Sequence, residues 1–363
     1  MKKLFCIFSL TLLFFCYRAN AQIYPIFSQP KYLFYEYREL LKYSAYDTQK
    51  LEENIDVESK DDVFQLGFIY FYNPELKDDK KSLKYLKKAL ALKNPDAAAL
   101  LGIFYINQES YSNAISFLRK GEKLGSGIAM LKMGEIFENG NGIFQDEKRA
   151  IELYQKALDR NVIGAYAKMG DLYMSGKLVE KDFEQAASYY GKIFPIIEEP
   201  ENKLAITLKL GGLYDNIIKQ KEQLIIEKNP DEKNTALDSL KEERFRYFLT
   251  AAEQNNLDSM IMVANYYLQG NGVDKDSNKA IEWFLKAADN KSIPAMEQLG
   301  YIYSNGLYGF NRDFKRAFYW YEKAAFAGSK SACWNLGYFY YYGYGVKRDL
   351  VKAKRWFDKS KGL

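Results

Sequence analysis

The sequence predicts an all-α, right-handed α-solenoid of about eight helix-turn-helix repeats, and three observations predict it. First, a small residue is followed three positions later by an aromatic ring eight times. The pairs are Gly67/Tyr70, Gly102/Tyr105, Gly134/Phe137, Gly170/Tyr173, Gly211/Tyr214, Ala264/Tyr267, Gly300/Tyr303 and Gly337/Tyr340. Most are 32 to 37 residues apart, with two longer gaps of 41 and 53, and a fixed period in this range marks stacked helical pairs. Second, a mostly small residue opens a second helical pattern at Ser82, Ala114, Ala150, Ala186, Ala280, Ala317 and Ala353, with Arg244 in the equivalent place. Three residues on comes a bulky one: Tyr85, Phe117, Leu153, Tyr189, Tyr247, Trp283, Trp320 and Trp356. These offsets share one helical face, so each unit reads as a helix A and a helix B. A glycine in mid-helix costs about 1 kcal/mol relative to alanine, so its recurrence implies a close approach of helix B. Third, the joint is patterned: Asp146, Asp182, Asp276 and Asp349 fall six residues after Gly140, Gly176, Gly270 and Gly343, and Asp313 falls seven after Gly306. The glycines permit left-handed backbone at a helix end, and the aspartates sit where an N-cap belongs. A phosphate-binding reading of Gly140-Asn141-Gly142 and its equivalents lacks the preceding strand that such a loop needs.

Ser331 to Leu363, with Leu336-Gly337, Tyr340, Gly343-Tyr344-Gly345-Val346, Asp349, Ala353 and Trp356, resembles a Sel-1-like repeat, the tetratricopeptide relative with an extended joint. Ala129–Asn161, Asp258–Asn290 and Pro294–Gly328 are similar, and Gly164–Phe194 fits with Lys177-Leu178-Val179 in place of Gly-x-Gly-Val. The chain then divides in order. Residues 1–21 are a cleavable secretory signal, 22–60 an N-terminal helical cap, 61–125 two tetratricopeptide-like repeats and 126–196 two Sel-1-like repeats. Residues 197–254 are a divergent repeat with an inserted segment at 215–243, and 255–363 are three Sel-1-like repeats. Within the cap, helix is expected in 31–54. The insert, charged and carrying Asn229-Pro230-Asp231, reads as a loop or an extra helix.

Lys2 and Lys3, the apolar stretch Leu4 to Cys16 and Ala19-Asn20-Ala21 make the signal tripartite, with cleavage expected before Gln22. Its apolar run is short for a membrane span, and no other long one follows. Cleavage would leave one cysteine, Cys333, expected as a buried thiol. Without residues 1–21 the formal charge falls from +5 to +2, which argues against a nucleic-acid surface. The last 17 residues stay basic, with Lys347, Arg348, Lys352, Lys354, Arg355, Lys359 and Lys361 against Asp349 and Asp358. They read as the polar face of a terminal capping helix, or as a surface for anionic lipid, in peripheral membrane contact, or for an acidic partner. The richness in Lys, Asn, Ile and Tyr points to a bacterium with an AT-rich genome.

The chain has no histidine, which removes Ser-His-Asp and Cys-His arrangements and histidine metal ligands. No cofactor, metal or catalytic residue is assigned, and the expectation is a protein that is not an enzyme.

By resemblance to tetratricopeptide stacks, helix A lines a concave groove. Its open positions lie three before, one after and four after each marker glycine. These are Trp334, Tyr338 and Tyr341 in the last repeat, Glu297, Tyr301 and Ser304 in the one before, Leu131, Glu135 and Glu138 in the third, and Ala167, Asp171 and Met174 in the fourth. Trp334, Tyr338 and Tyr341 are candidate partner anchors or, alternatively, core, while Tyr303, Tyr340, Trp283, Trp320 and Trp356 are expected in the core. The functional expectation is an exported scaffold or adaptor binding a protein partner in the bacterial envelope or host. The family resemblance leaves two alternatives open, a peptidoglycan-binding or -modifying factor and a eukaryotic luminal quality-control adaptor.

Overall fold

The computed structural model describes residues 30–33, 35–228 and 235–362. The proposed signal and the first eight residues of the cap lie outside them. The described residues form 18 α-helices and two 3-10 segments and contain no strand. They fall into two compact units that divide after Glu198.

The N-terminal unit begins with α1 (Pro30–Leu33), the 3-10 segment Tyr35–Lys42 and α2 (Ala45–Asn54). Four helical hairpins follow: α3 and α4 (Lys60–Tyr72, Asp79–Ala91), α5 and α6 (Pro95–Asn107, Tyr111–Leu124), α7 and α8 (Gly127–Asn139, Glu147–Leu158), and α9 and α10 (Ile163–Ser175, Phe183–Ile193). The C-terminal unit has four more: α11 and α12 (Pro200–Lys228, Thr235–Glu253), α13 and α14 (Leu257–Gln269, Ser277–Asp289), α15 and α16 (Ile293–Asn305, Phe314–Phe326), and α17 and α18 (Lys330–Tyr342, Leu350–Lys361).

The joints behave as their residues require. Asp146, Asp182, Asp276, Asp313 and Asp349 hold extended backbone, and their carboxylates accept the free amides of the following first turn. Gly140, Gly176, Gly270, Gly306 and Gly343 each end helix A in left-handed backbone. In the fourth repeat Leu178 stands where others have the second glycine, yet keeps the same conformation at φ 66°. The second glycine has a separate task. A Cβ at Gly345 would meet the Phe314 carbonyl oxygen at 2.3 Å, one at Gly272 the Lys241 carbonyl oxygen at 2.1 Å, and one at Gly142 Tyr111 Cβ at 2.5 Å. Each partner lies on helix B of the preceding repeat, three residues before its opening Arg or Ala. The glycine is thus a spacer between repeats. Gly345→Ala, with φ +67° as well, is expected to cost about 1–3 kcal/mol in urea denaturation.

The marker glycine does admit helix B, and the side chain that lies on it comes one residue after the bulky one at three. An added Cβ would meet Leu86 at Gly67, Leu118 at Gly102, Tyr154 at Gly134, Tyr190 at Gly170, Phe248 at Gly211, Tyr321 at Gly300 and Phe357 at Gly337. These come four residues after the opener. The residue at three instead stacks beside the helix A aromatic: Tyr70 on Tyr85, Tyr105 on Phe117, Tyr173 on Tyr189 and Tyr214 on Tyr247, with centroids 5.4–6.0 Å apart. Consequently Tyr340, Trp283 and Trp356, expected in the core, are only half-buried, whereas Tyr303 and Trp320 are buried. A cation one turn on lies over the ring at this position: Lys120 on Phe117, Lys286 on Trp283, Lys323 on Trp320 and Lys359 on Trp356, 4.2–5.2 Å from the centroids. Lys352 likewise covers Tyr340, so part of the basic C-terminal helix is spent on its own rings.

The segment 215–243 is helical on both sides. It extends α11 fourteen residues beyond Tyr214 and starts α12 nine residues before Arg244, while 229–234 lie outside the described residues. Arg244, in the place of a small opener, is buried. Its guanidinium donates to Asp215 at 2.9 Å and to Asn271 at 2.7 Å and lies 4.3 Å above the Tyr266 ring. Cys333 is a buried free thiol, its pKa raised by that burial.

Candidate partner-binding faces

The last repeat presents a continuous aromatic run. Trp334 stacks on Tyr338, with centroids 5.7 Å apart and planes at 18°. Tyr338 meets Tyr342 at 4.5 Å, Tyr342 stacks on Tyr344 at 5.6 Å, and Tyr344 stacks on Phe314 at 4.5 Å. Trp334 and Tyr342 keep 45% and 50% of their surface open, and Tyr338 is half-buried between them. Residues 334, 338 and 342 are one helical turn apart, which aligns their rings along α17. Burial and the neighbouring Tyr342 and Tyr344 raise the Tyr338 hydroxyl's pKa. Tyr341, also open, lies across Tyr342, and its carbonyl accepts from Arg348 Nε at 3.1 Å.

Sequence reasoning missed Tyr342 and Tyr344. The first was visible as a third step of the 334/338 spacing. The second lies between Gly343 and Gly345, in a joint whose pattern points only to the turn.

Glu297, Tyr301 and Ser304 are half-buried on α15. The hydroxyls of Ser329 and Ser331 both donate to the Glu297 carboxylate, and Ser329 at the same time caps α17. The same tie recurs earlier, where the helix-capping Asn94 and Ser126 donate to Asp61 and Asp96 of the preceding helix A at 3.0 and 2.7 Å. Glu297 thus links successive repeats. Ser304 Oγ donates to the Tyr301 carbonyl at 3.0 Å.

In the N-terminal unit the same register is closed and ionic. Glu138, 4% exposed, accepts from Tyr154 Oη at 2.5 Å and pairs with Lys168 Nζ at 2.6 Å and Lys177 Nζ at 2.7 Å. Burial opposes its ionisation, but these three donors prevail and lower its pKa. Asp171, 5% exposed, accepts from Tyr190 Oη at 2.5 Å, and burial together with that carboxylate drives the Tyr190 pKa up. Glu135 is half-buried and pairs with Lys132 at 3.0 Å, burial pushing the carboxyl up and the ammonium down. Leu131, Ala167 and Met174 are buried with them. Of the residues singled out from sequence, the structure brings Trp334, Tyr338 and Tyr341 together on an open face. Glu135, Glu138 and Asp171 instead form or border a covered one.

Among the described residues no group of three or more His, Cys, Asp or Glu could hold a metal ion, and no helix is long and apolar enough to cross a membrane.

A model of the Sel1 repeat matches residues 63–94, 127–162, 163–193, 257–292, 293–329 and 330–361, more than half of the chain. The chain belongs to the Sel1 repeat family. The matches include the first repeat, whose short joint resembles a plain tetratricopeptide unit, and the fourth, with its Leu178 joint. Sel1 repeat relatives include Protein sel-1 homolog 2 of Homo sapiens, 25% identical over 258 residues, 69% of this chain and 36% of that protein. Another is the ERAD-associated E3 ubiquitin-protein ligase component HRD3A of Arabidopsis thaliana, 37% identical over 66 residues, 18% of this chain and 10% of that protein. The chain thus spans about a third or less of the length of these relatives. The same Sel1 repeat architecture occurs in a solved structure of a protective antigen present in uropathogenic Escherichia coli strains, described as displaying an SLR fold. It has a TM-score of 0.55 at 23% identity, covering 87% of this chain and 64% of that one.

Proposed function

We propose that this Sel1 repeat protein is an exported adaptor without chemistry of its own, docking a protein partner on the aromatic run Trp334–Tyr338–Tyr342–Tyr344. The observation that supports this most is the run itself. Its rings are held in place by stacking before any partner arrives, so little side-chain entropy is lost on binding, and open Trp and Tyr are strong anchors. That a relative is named as a component of a ubiquitin ligase agrees with an adaptor role. Envelope components are the expected setting, given the N-terminal signal pattern.

In-cell crosslinking and affinity capture test the reading, comparing the wild type with Trp334→Ala/Tyr338→Ala/Tyr342→Ala. A protein captured by the wild type and lost by the variant is expected, with the variant still folded because Trp334 and Tyr342 keep 45% and 50% of their surface open. Capture of peptidoglycan, or of the same proteins by both forms, would refute the assignment. The mature N-terminus of the exported form should be Gln22.

A further inference from the structure

Between the helices B of the first three repeats run two open clefts that meet at one residue. The first, of about 510 Å³, lies between α4 and α6 and is lined by Lys87, Leu90, Ala91, Lys120, Lys123 and Leu124. The second, of about 660 Å³, lies between α6 and α8, with Met130 in its lining. Its cations are Arg119, Lys123, Arg149, Lys156 and Arg160, and its acids are Glu122 and Asp159. Lys123 borders both clefts, so they form one groove. The charges within it do not balance. Glu122 is already shared by Arg149 at 3.1 Å and Lys156 at 3.5 Å, and Arg149 also holds Glu152 at 2.9 Å. Lys120 lies over the Phe117 ring. Lys87, Arg119, Lys123 and Arg160 make no ion pair among the described residues.

We propose that this groove binds an acidic, aliphatic segment of a protein partner in extended form. Its carboxylates lie on Arg119, Lys123 and Arg160, and its aliphatic side chains on Leu90 and Leu124. Cations near a helix C-terminus are ordinarily explained by the helix dipole, but the later repeats do without these. Lys87 and Arg119 stand five residues after their openers, Lys123 nine and Arg160 ten. The same places hold Leu285, Asp289 and Asn290 in the sixth repeat, and Glu322, Phe326 and Ala327 in the seventh. The positive charge therefore belongs to this groove and not to the repeat. The apolar lining selects the chemistry of the ligand further. Leu124 keeps 38% of its surface open beside Lys123, a contact that a bare phosphate chain would leave unused. Three neighbouring helices at the usual spacing span about 20 Å, the reach of about six extended residues. Unpaired cations also draw an acidic segment in over a distance, an attraction that salt weakens.

The test uses the full chain and a fluorescein-labelled synthetic peptide of alternating glutamate and leucine, about eight residues long. Arg119→Glu/Lys123→Glu should weaken its binding by about tenfold or more in anisotropy titrations. The urea midpoint should hardly move, because both side chains are exposed and unpaired. Arg119→Gln/Lys123→Gln is the milder variant and should weaken binding by a smaller factor. Lys354→Glu/Arg355→Glu, an equal change of charge on exposed residues of α18, should bind the probe as the wild type does. So should Trp334→Ala/Tyr338→Ala/Tyr342→Ala, which separates this groove from the aromatic run. A probe with serine in place of leucine should bind more weakly. Equal losses in the two charge-reversed proteins would reduce the effect to net charge and overturn the proposal. Equal binding of the serine probe, or no binding of either peptide, would overturn it too. Binding of polyphosphate or of phosphatidylglycerol vesicles in place of the peptide would assign the groove to a phosphate-bearing partner instead.

Discussion

Tyr321→Ala is expected to lower the stability of the C-terminal unit by about 3–5 kcal/mol, the range for truncating a large buried aromatic. Tyr321 is 3% exposed, its ring lies on Gly300, where an added Cβ would meet it at 2.7 Å, and its edge approaches Phe339 of the next repeat at 5.6 Å. The substitution therefore empties a space against Gly300, which has no side chain of its own to fill it. It also weakens the packing of one repeat on the next, and repeat stacks hold together through such nearest-neighbour interfaces. Chemical denaturation should show the loss, and hydrogen exchange should place it in α15 to α18. Trp283→Ala, at the half-buried position of the same pattern, should cost clearly less. Equal losses would overturn the distinction between the two positions.

Glu138→Ala should be of comparable size, about 3–5 kcal/mol, for an electrostatic reason. The substitution removes the shared acceptor of Tyr154, Lys168 and Lys177 from a site that is almost closed to solvent, and a buried group deprived of its partner bears its desolvation uncompensated. The pH dependence has a definite sign. The Glu138 pKa is lowered in the folded state from an ordinary value of 4.5, so the folded protein binds this proton less readily than the unfolded chain. Its contribution is complete above about pH 4.5 and is lost as the pH falls through the lower folded value. Urea titrations from pH 7 down to pH 3 should show that decline in the wild type. Glu138→Gln, which keeps the shape without the charge, should flatten it. A profile that stays as steep in the Gln variant would place the effect elsewhere.

Much of this architecture is legible in the sequence because its rules are local. An aspartate six residues past a glycine can cap a helix with no help from the rest of the chain, and Asp146, Asp182, Asp276 and Asp349 do so. The marker pairs are legible for the same reason. The finer register is not. Whether Trp320 or Tyr321 lies on Gly300 depends on the rotation of helix B, and adjacent aromatic residues leave the periodicity unable to choose. The inner face was hardest to read. Glu138 and Asp171 look like solvent-facing acids in their own helices, and their burial depends on Tyr154, Tyr190, Lys168 and Lys177. Tyr32 and Leu33 reach a helix more than 120 residues further along the chain, a contact that no local pattern encodes. Trp334 and Tyr338 were found because helical spacing alone aligns them.

Gly272, Gly142 and Gly345 each leave room only for a hydrogen atom against the helix of the previous repeat. Where that helix is longer, the fit is kept: Gly272 meets α12 at Lys241, three residues before Arg244, just as Gly345 meets α16 at Phe314, three before Ala317. The extra turns of α12 therefore overshoot the joint without altering how the neighbours seat. For protein engineering, this makes the far end of the lengthened α11–α12 hairpin, beyond the level of Lys241, the place to splice in a foreign epitope or a fluorescent module. The opposite turn, where Gly328 leads within a residue to the buried cap Ser329, should reject the same insertion.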